Sequence, residues 1–168
     1  FGSTLGINAS TGTAGDQDLT ITAGTGNVTF TGVATINDND LTVASSAITT
    51  VTGGVAGSTG SVDFTTSTRT DVDGDIALTG AGTVTLDAAN VTSKDITTVG
   101  GNITFSGAVV YDGAGAVAVG TGSGAGAVEF GSTLGINAST GTAGDQDLTI
   151  TAGTGNVTFT GVATINDN

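Results

Sequence analysis

Residues 95–110 read DITTVGGNITFSGAVV, and their alternation decides the fold. Ile96-Thr-Thr98 and Ile103-Thr-Phe105 place apolar and polar residues in turn, the period of a strand with one buried and one exposed face. β-Branched and aromatic side chains suit that pleated surface. Gly100-Gly101 separates the two segments and supplies the backbone freedom that a tight turn needs. The stretch therefore predicts strand, turn, strand.

The second half of this unit recurs along the chain as a Gly, one residue, then apolar–polar–apolar. It appears as Gly26-Asn-Val-Thr-Phe30, Gly60-Ser-Val-Asp-Phe64, Gly82-Thr-Val-Thr-Leu86, Gly101-Asn-Ile-Thr-Phe105, Gly126-Ala-Val-Glu-Phe130 and Gly155-Asn-Val-Thr-Phe159. The spacings are 34, 22, 19, 25 and 29 residues. A second alternating segment usually precedes the core, as in Leu19–Thr22, Ile76–Thr79 and Val117–Val119. The predicted buried set is Leu19, Ile21, Val28, Phe30, Val62, Phe64, Ile76, Leu78, Val84, Leu86, Ile96, Ile103, Phe105, Val117, Val119, Val128 and Phe130, with mostly Thr facing out.

A longer period encloses the short one. Residues 1–39 and 130–168 are the same string without a mismatch, a period of 129. Residues 1–129 are then one full tandem unit and 130–168 the start of the next, as in a piece of a longer array. Two architectures fit. In a parallel β-solenoid each 19–34-residue unit makes about one coil, and each Val/Phe pair stacks on the next. About six coils per unit, roughly 4.8 Å apart, give an advance of roughly 29 Å. A string of 129-residue β-sandwiches is the alternative, but it does not need strands that resemble one another. The solenoid is the expectation. The long gap 31–59 is expected to hold an extra strand or a protruding loop.

Composition excludes several function classes. Of 168 residues 30 are Gly, charged residues are only 10%, and Pro, Cys, Met, Trp and His are absent. Without Cys there is no disulfide framework and no thiolate metal site. Without His or Cys the usual nucleophile–base pairs are missing, so no enzyme is expected. Arg69 beside Asp71, Asp73 and Asp75 is the one cluster in which paired carboxylates could do acid–base work, but a solvated turn is the expected reading. The glycines of GTGSGAG (120–126) are not followed by Lys-Ser/Thr, so a phosphate cradle is not expected. The net charge of −13 disfavours nucleic acid and anionic lipid, and no apolar run is long enough to span a bilayer.

The remaining candidates are cation and glycan sites. Asp71-Val-Asp73-Gly74-Asp75 offers alternate carboxylates around a Gly, as an oxygen-ligand calcium loop requires. It lacks the distal Glu of the full calcium loop, so Asp71, Asp73 and Asp75 are a candidate calcium site against the reading of an ordinary acidic turn. Asp16/Asp18 and Asp38/Asn39/Asp40 are weaker clusters of the same kind. Asn8, Asn27, Asn90 and Asn102 begin Asn-x-Ser/Thr sequons and are candidate glycosylation sites. A Thr-rich outward face raises a ligand surface for glycans or ice.

The stretches GDIALTGAGTVTLDAANV (74–91), DITTVGGNITFSGAVV (95–110) and GSGAGAVEFGSTL (122–134) resemble the repeats of large bacterial surface β-strand-repeat proteins, among them filamentous-haemagglutinin-like adhesins. The resemblance covers nearly the whole chain. It implies a right-handed parallel β-helix, secretion to the cell surface, and a structural part in adhesion, a biofilm matrix or an extracellular filament. Copies of itself and cell-surface glycans are the partners it implies. It carries no catalytic residues.

Overall fold

The computed structural model describes residues 1–7, 17–44, 47–65, 68–87, 89–91, 94–111, 115–136 and 147–165. They contain strands and turns and no helix. In chain order the strands are β1 (Leu5–Gly6), β2 (Leu19–Thr22), β3 (Val28–Phe30), β4 (Ala34–Asn37), β5 (Leu41–Ala44), β6 (Ile48–Val51), β7 (Val55–Gly57), β8 (Val62–Phe64), β9 (Arg69–Val72), β10 (Ile76–Leu78), β11 (Val84–Leu86), β12 (Ala89–Val91), β13 (Ile96–Thr97), β14 (Ile103–Phe105), β15 (Val109–Tyr111), β16 (Val117–Gly120), β17 (Val128–Phe130), β18 (Leu134–Ile136), β19 (Leu148–Thr151), β20 (Val157–Phe159) and β21 (Ala163–Ile165).

Every third strand belongs to the same sheet. The first wall runs β1-β4-β7-β10-β13-β16-β19, the second β2-β5-β8-β11-β14-β17-β20, and the third β3-β6-β9-β12-β15-β18-β21. All pairings are parallel. The chain is therefore a three-walled parallel β-solenoid, each wall seven strands deep. Register partners on the first wall give turns of 20 to 23 residues between Ala34 and Val119, as in Ala34↔Val55, Val55↔Ile76, Ile76↔Ile96 and Ile96↔Val119. Two turns are longer. Leu5↔Ala34 and Val117↔Leu148 enclose residues 8–16 and 137–146, which lie outside the described residues.

Short strands work here because each is one rung of a ladder seven deep, so neighbour pairing supplies what strand length does not. The inward residues fill the lumen. Val62/Phe64, Val84/Leu86, Ile103/Phe105 and Val128/Phe130 lie in register on the second wall and are fully buried. Phe105 stacks on Phe130 with centroids 4.9 Å apart, and Phe130 on Phe159 at 5.1 Å, within the range of favourable aromatic stacking. Of the predicted buried set, Leu19 and Ile21 are half-buried and the rest are buried.

The strand–turn–strand reading captured two walls and missed the third. β6, β9 and β12 turn Thr49, Thr70 and Ala89 inward, so the apolar alternation that marks the other walls is broken there. The expected stacking of every Gly-x-Val-x-Phe core on the next also needs correction. β8, β11, β14, β17 and β20 stack on the second wall, but β3, with Val28 and Phe30, lies on the third. The segment 31–59 folds as four strands, β4 to β7, two more than separate the other cores.

Candidate functional surface

With the lumen filled by apolar side chains, the described surface consists of outward columns and corners. On the second wall the central outward residues lie in register as Thr20, Thr42, Asp63, Thr85, Thr104, Glu129 and Thr158. At about 4.8 Å per strand this column is about 29 Å long. The first wall shows smaller residues, Thr35, Ala56, Ala77, Thr97, Gly120 and Thr151. The third shows Thr29, Thr50, Asp71, Val110, Gly135 and Thr164.

The corner entering the second wall explains the recurrent glycine. A Cβ on Gly101 would stand 1.9 Å from the carbonyl oxygen of Gly82, on Gly82 2.1 Å from that of Gly60, and on Gly126 2.3 Å from that of Gly101. Successive turns approach too closely here for any side chain. Asn39 takes the corresponding place one turn before Gly60 and is fully buried. Its Nδ2 donates to the carbonyls of Ile7 and Ile36, both at 3.2 Å, and its Oδ1 accepts from the Gln17 amide at 3.1 Å.

The acidic residues mostly tie one turn to the next. The Asp40 amide donates to Asp18 Oδ1 at 3.0 Å, and the Ser61 amide to Asp40 Oδ1 at 2.8 Å. Further along the same corner the Thr83 amide donates to Ser61 Oγ at 3.3 Å and the Ala127 amide to Asn102 Oδ1 at 2.9 Å. Before the first wall the Asp95 amide donates to Asp75 Oδ1 at 3.1 Å, and the Ala118 amide to Asp95 Oδ1 at 2.8 Å. Asp38 accepts from the Ser58 hydroxyl and from the Thr59 hydroxyl. Those two bonds, Ser58 first, hold its carboxyl below the ordinary carboxylate range, with burial opposing them.

Of the candidate calcium residues only Asp75 joins this scheme. Asp71 points outward from β9 and takes a bidentate pair of bonds from Arg69, Nε to Oδ1 at 2.6 Å and Nη2 to Oδ2 at 3.1 Å. Asp73 is exposed in the turn that follows, and its amide donates to the Val51 carbonyl at 2.9 Å. Asp75 is engaged with the Asp95 amide. Among the described residues no three His, Cys, Asp or Glu side chains converge as a metal-binding group. Asn27 and Asn102 are exposed, Asn90 lies on β12, and Asn8 lies outside the described residues. Among those residues no helix is long and apolar enough to cross a membrane. Sequence reading missed the inter-turn corner ladders. The signal for them was present as polar residues at the step before each apolar core, Asp40, Ser61, Thr83 and Asn102.

No family model, curated protein or solved structure matches the chain. The columns, corners and ladders themselves carry the functional reading.

Proposed function

We propose that the chain is a structural rod of an extracellular fibre or cell-surface adhesin. The observation that carries this reading is the unbroken pairing of three seven-strand parallel walls. Such a body gains length with each turn. The acid groups support the same reading, because Asp18, Asp38, Asp40, Asp75 and Asp95 spend their oxygens on neighbouring turns. Arg69, the one cation in an acidic cluster, is held by Asp71. Antibody labelling of intact producing cells tests it, together with negative-stain imaging of the surface. Label on a surface fibre is the expected result. Label reached only after the cells are opened rejects it.

A ligand surface for glycans or ice has one observation in its favour, the in-register Thr column of the second wall. Asp63 and Glu129 interrupt that column. Glycan-array binding and ice-recrystallisation assays on the chain address it. Saturable binding lost on replacing Thr85 and Thr104 by Val would establish this second reading.

A further inference from the structure

Residues 1–39 and 130–168 share one sequence, but their described strands lie on different walls. β1 is on the first wall and its counterpart β18 on the third. β2 is on the second and β19 on the first, while β3 is on the third and β20 on the second. β4 is on the first and β21 on the third. Every counterpart steps back by one wall. The local fold is unchanged, since β1 pairs β4 through Leu5↔Ala34 and β18 pairs β21 through Leu134↔Ala163.

The count explains the step. From β1 to β18 is seventeen strands among the described residues, and three strands make a turn. One period is thus five and two-thirds turns, close to the expected six but out of phase with the walls. The mismatch arises in one place. Successive cores from Phe64 to Phe159 are three strands apart, whereas Phe30 on β3 and Phe64 on β8 are five apart. The aromatic ladder survives the change of wall, because Phe30 and Phe64 still stack across the lumen with centroids 6.1 Å apart.

We infer that the 129-residue period rotates the rod's interaction surface by one wall per unit. Each copy of a surface residue stands about 27 Å further along and a third of a turn round, and every third copy returns to its original wall. The Thr/Asp/Glu column of the second wall therefore passes to each wall in turn. A partner that docks on one copy finds the next on a different side, so the rod offers contacts in three directions and no one-sided stripe for a planar lattice. This rests on the rod reading and adds to it how the surface is displayed.

Disulfide mapping tests it in this chain, which has no cysteine of its own. Register partners on adjacent strands lie within the Cα range that a disulfide spans. Thr85→Cys/Thr104→Cys reports the solenoid alone. Thr29→Cys/Thr50→Cys and Thr42→Cys/Asp63→Cys report the two additional strands. Thr29→Cys/Asp63→Cys reports the in-phase alternative, in which β3 would pair β8 directly. Mild oxidation is read as loss of two hydrogens in the intact mass. Closure of the first three pairs with the fourth left open is the expected result. If the first pair closes and the fourth closes in place of the second and third, or the second and third stay open, the rotation is overturned and the rod stands. If the first pair stays open, the solenoid fails and the rotation with it.

Discussion

Tyr111 is the residue that the fold uses least well. It is buried on the third wall, and its hydroxyl has no partner among the described residues. Burial pushes its phenol far above the ordinary value. A buried hydroxyl without a partner costs about 1–3 kcal/mol, so Tyr111→Phe is expected to stabilise the chain by about 1 kcal/mol, measured by denaturant melts. The sign with pH follows from linkage. The unfolded phenol titrates near ~10 while the folded one stays neutral, so this contribution is complete below that pH and falls as pH rises above it. Tyr111→Phe should flatten the alkaline limb of a stability profile. Asp38 acts in the opposite direction. Its folded carboxyl is held low, so its contribution is present above the ordinary carboxylate range and is lost as pH falls through the folded value. Asp38→Asn should make the acid limb of the same profile shallower, and Ser58→Ala should do so in part.

At the scale of the element, the corner glycines from Gly60 to Gly155 decide how closely successive turns stack. Gly101→Ala would drive a Cβ into the Gly82 carbonyl, an overpacking expected to cost about 1–3 kcal/mol or more. Gly26 belongs to the same motif but sits at the next corner. A Cβ there would be 3.2 Å from the Ala23 carbonyl oxygen, a contact that a shift of a few tenths of an ångström relieves, so Gly26→Ala should cost clearly less than Gly101→Ala. Paired thermal melts of the two variants measure the difference. Much of this was legible beforehand. Five of the six Gly-x-apolar-polar-apolar cores identify strands of the second wall, and the apolar pairs of β8, β11, β14 and β17 are buried as their alternation predicts. The third wall was not legible, because Thr49, Thr70 and Ala89 occupy inward positions there and erase the period-two pattern. Thr70 Oγ1 has no partner among the described residues, so nothing local announces that it is inside.

For the whole molecule, the repeated sequence provides an internal control. Phe30 is fully buried beneath the next turn, whereas Phe159, the same residue one period on, is 45% exposed on the last described turn. Phe30→Ala is expected to cost about 3–5 kcal/mol. Phe159→Ala should cost well under half as much, measured by chemical denaturation of each variant. The two strands and their flanks have identical sequence, so the ratio reports their different places in the fold, Phe30 between Phe1 and Phe64 and Phe159 against Phe130. The long dimension follows in the same way. Seven strands at about 4.8 Å per step give a stack about 29 Å long and about 27 Å per period, which small-angle scattering of the chain and imaging of an array would detect; a period close to 40 Å would instead point to sandwich beads.

The sequence by itself determined the all-β character, the tandem period of 129 and the glycine-led cores, because alternation and tight turns are local properties of the chain. It left open which wall each strand joins. That depends on whether Ala34–Gly57 folds as loop or as four strands, and its apolar residues allow either. Only stacking against β1 to β3 on one side and β8 to β10 on the other decides it, burying Ala34, Ile36, Leu41, Val43, Val51 and Val55 in the lumen. The described strands of the repeated sequence consequently take one assignment to the walls in the first copy and a shifted one in the second. A wall is a relation between turns, and no single stretch of sequence contains it.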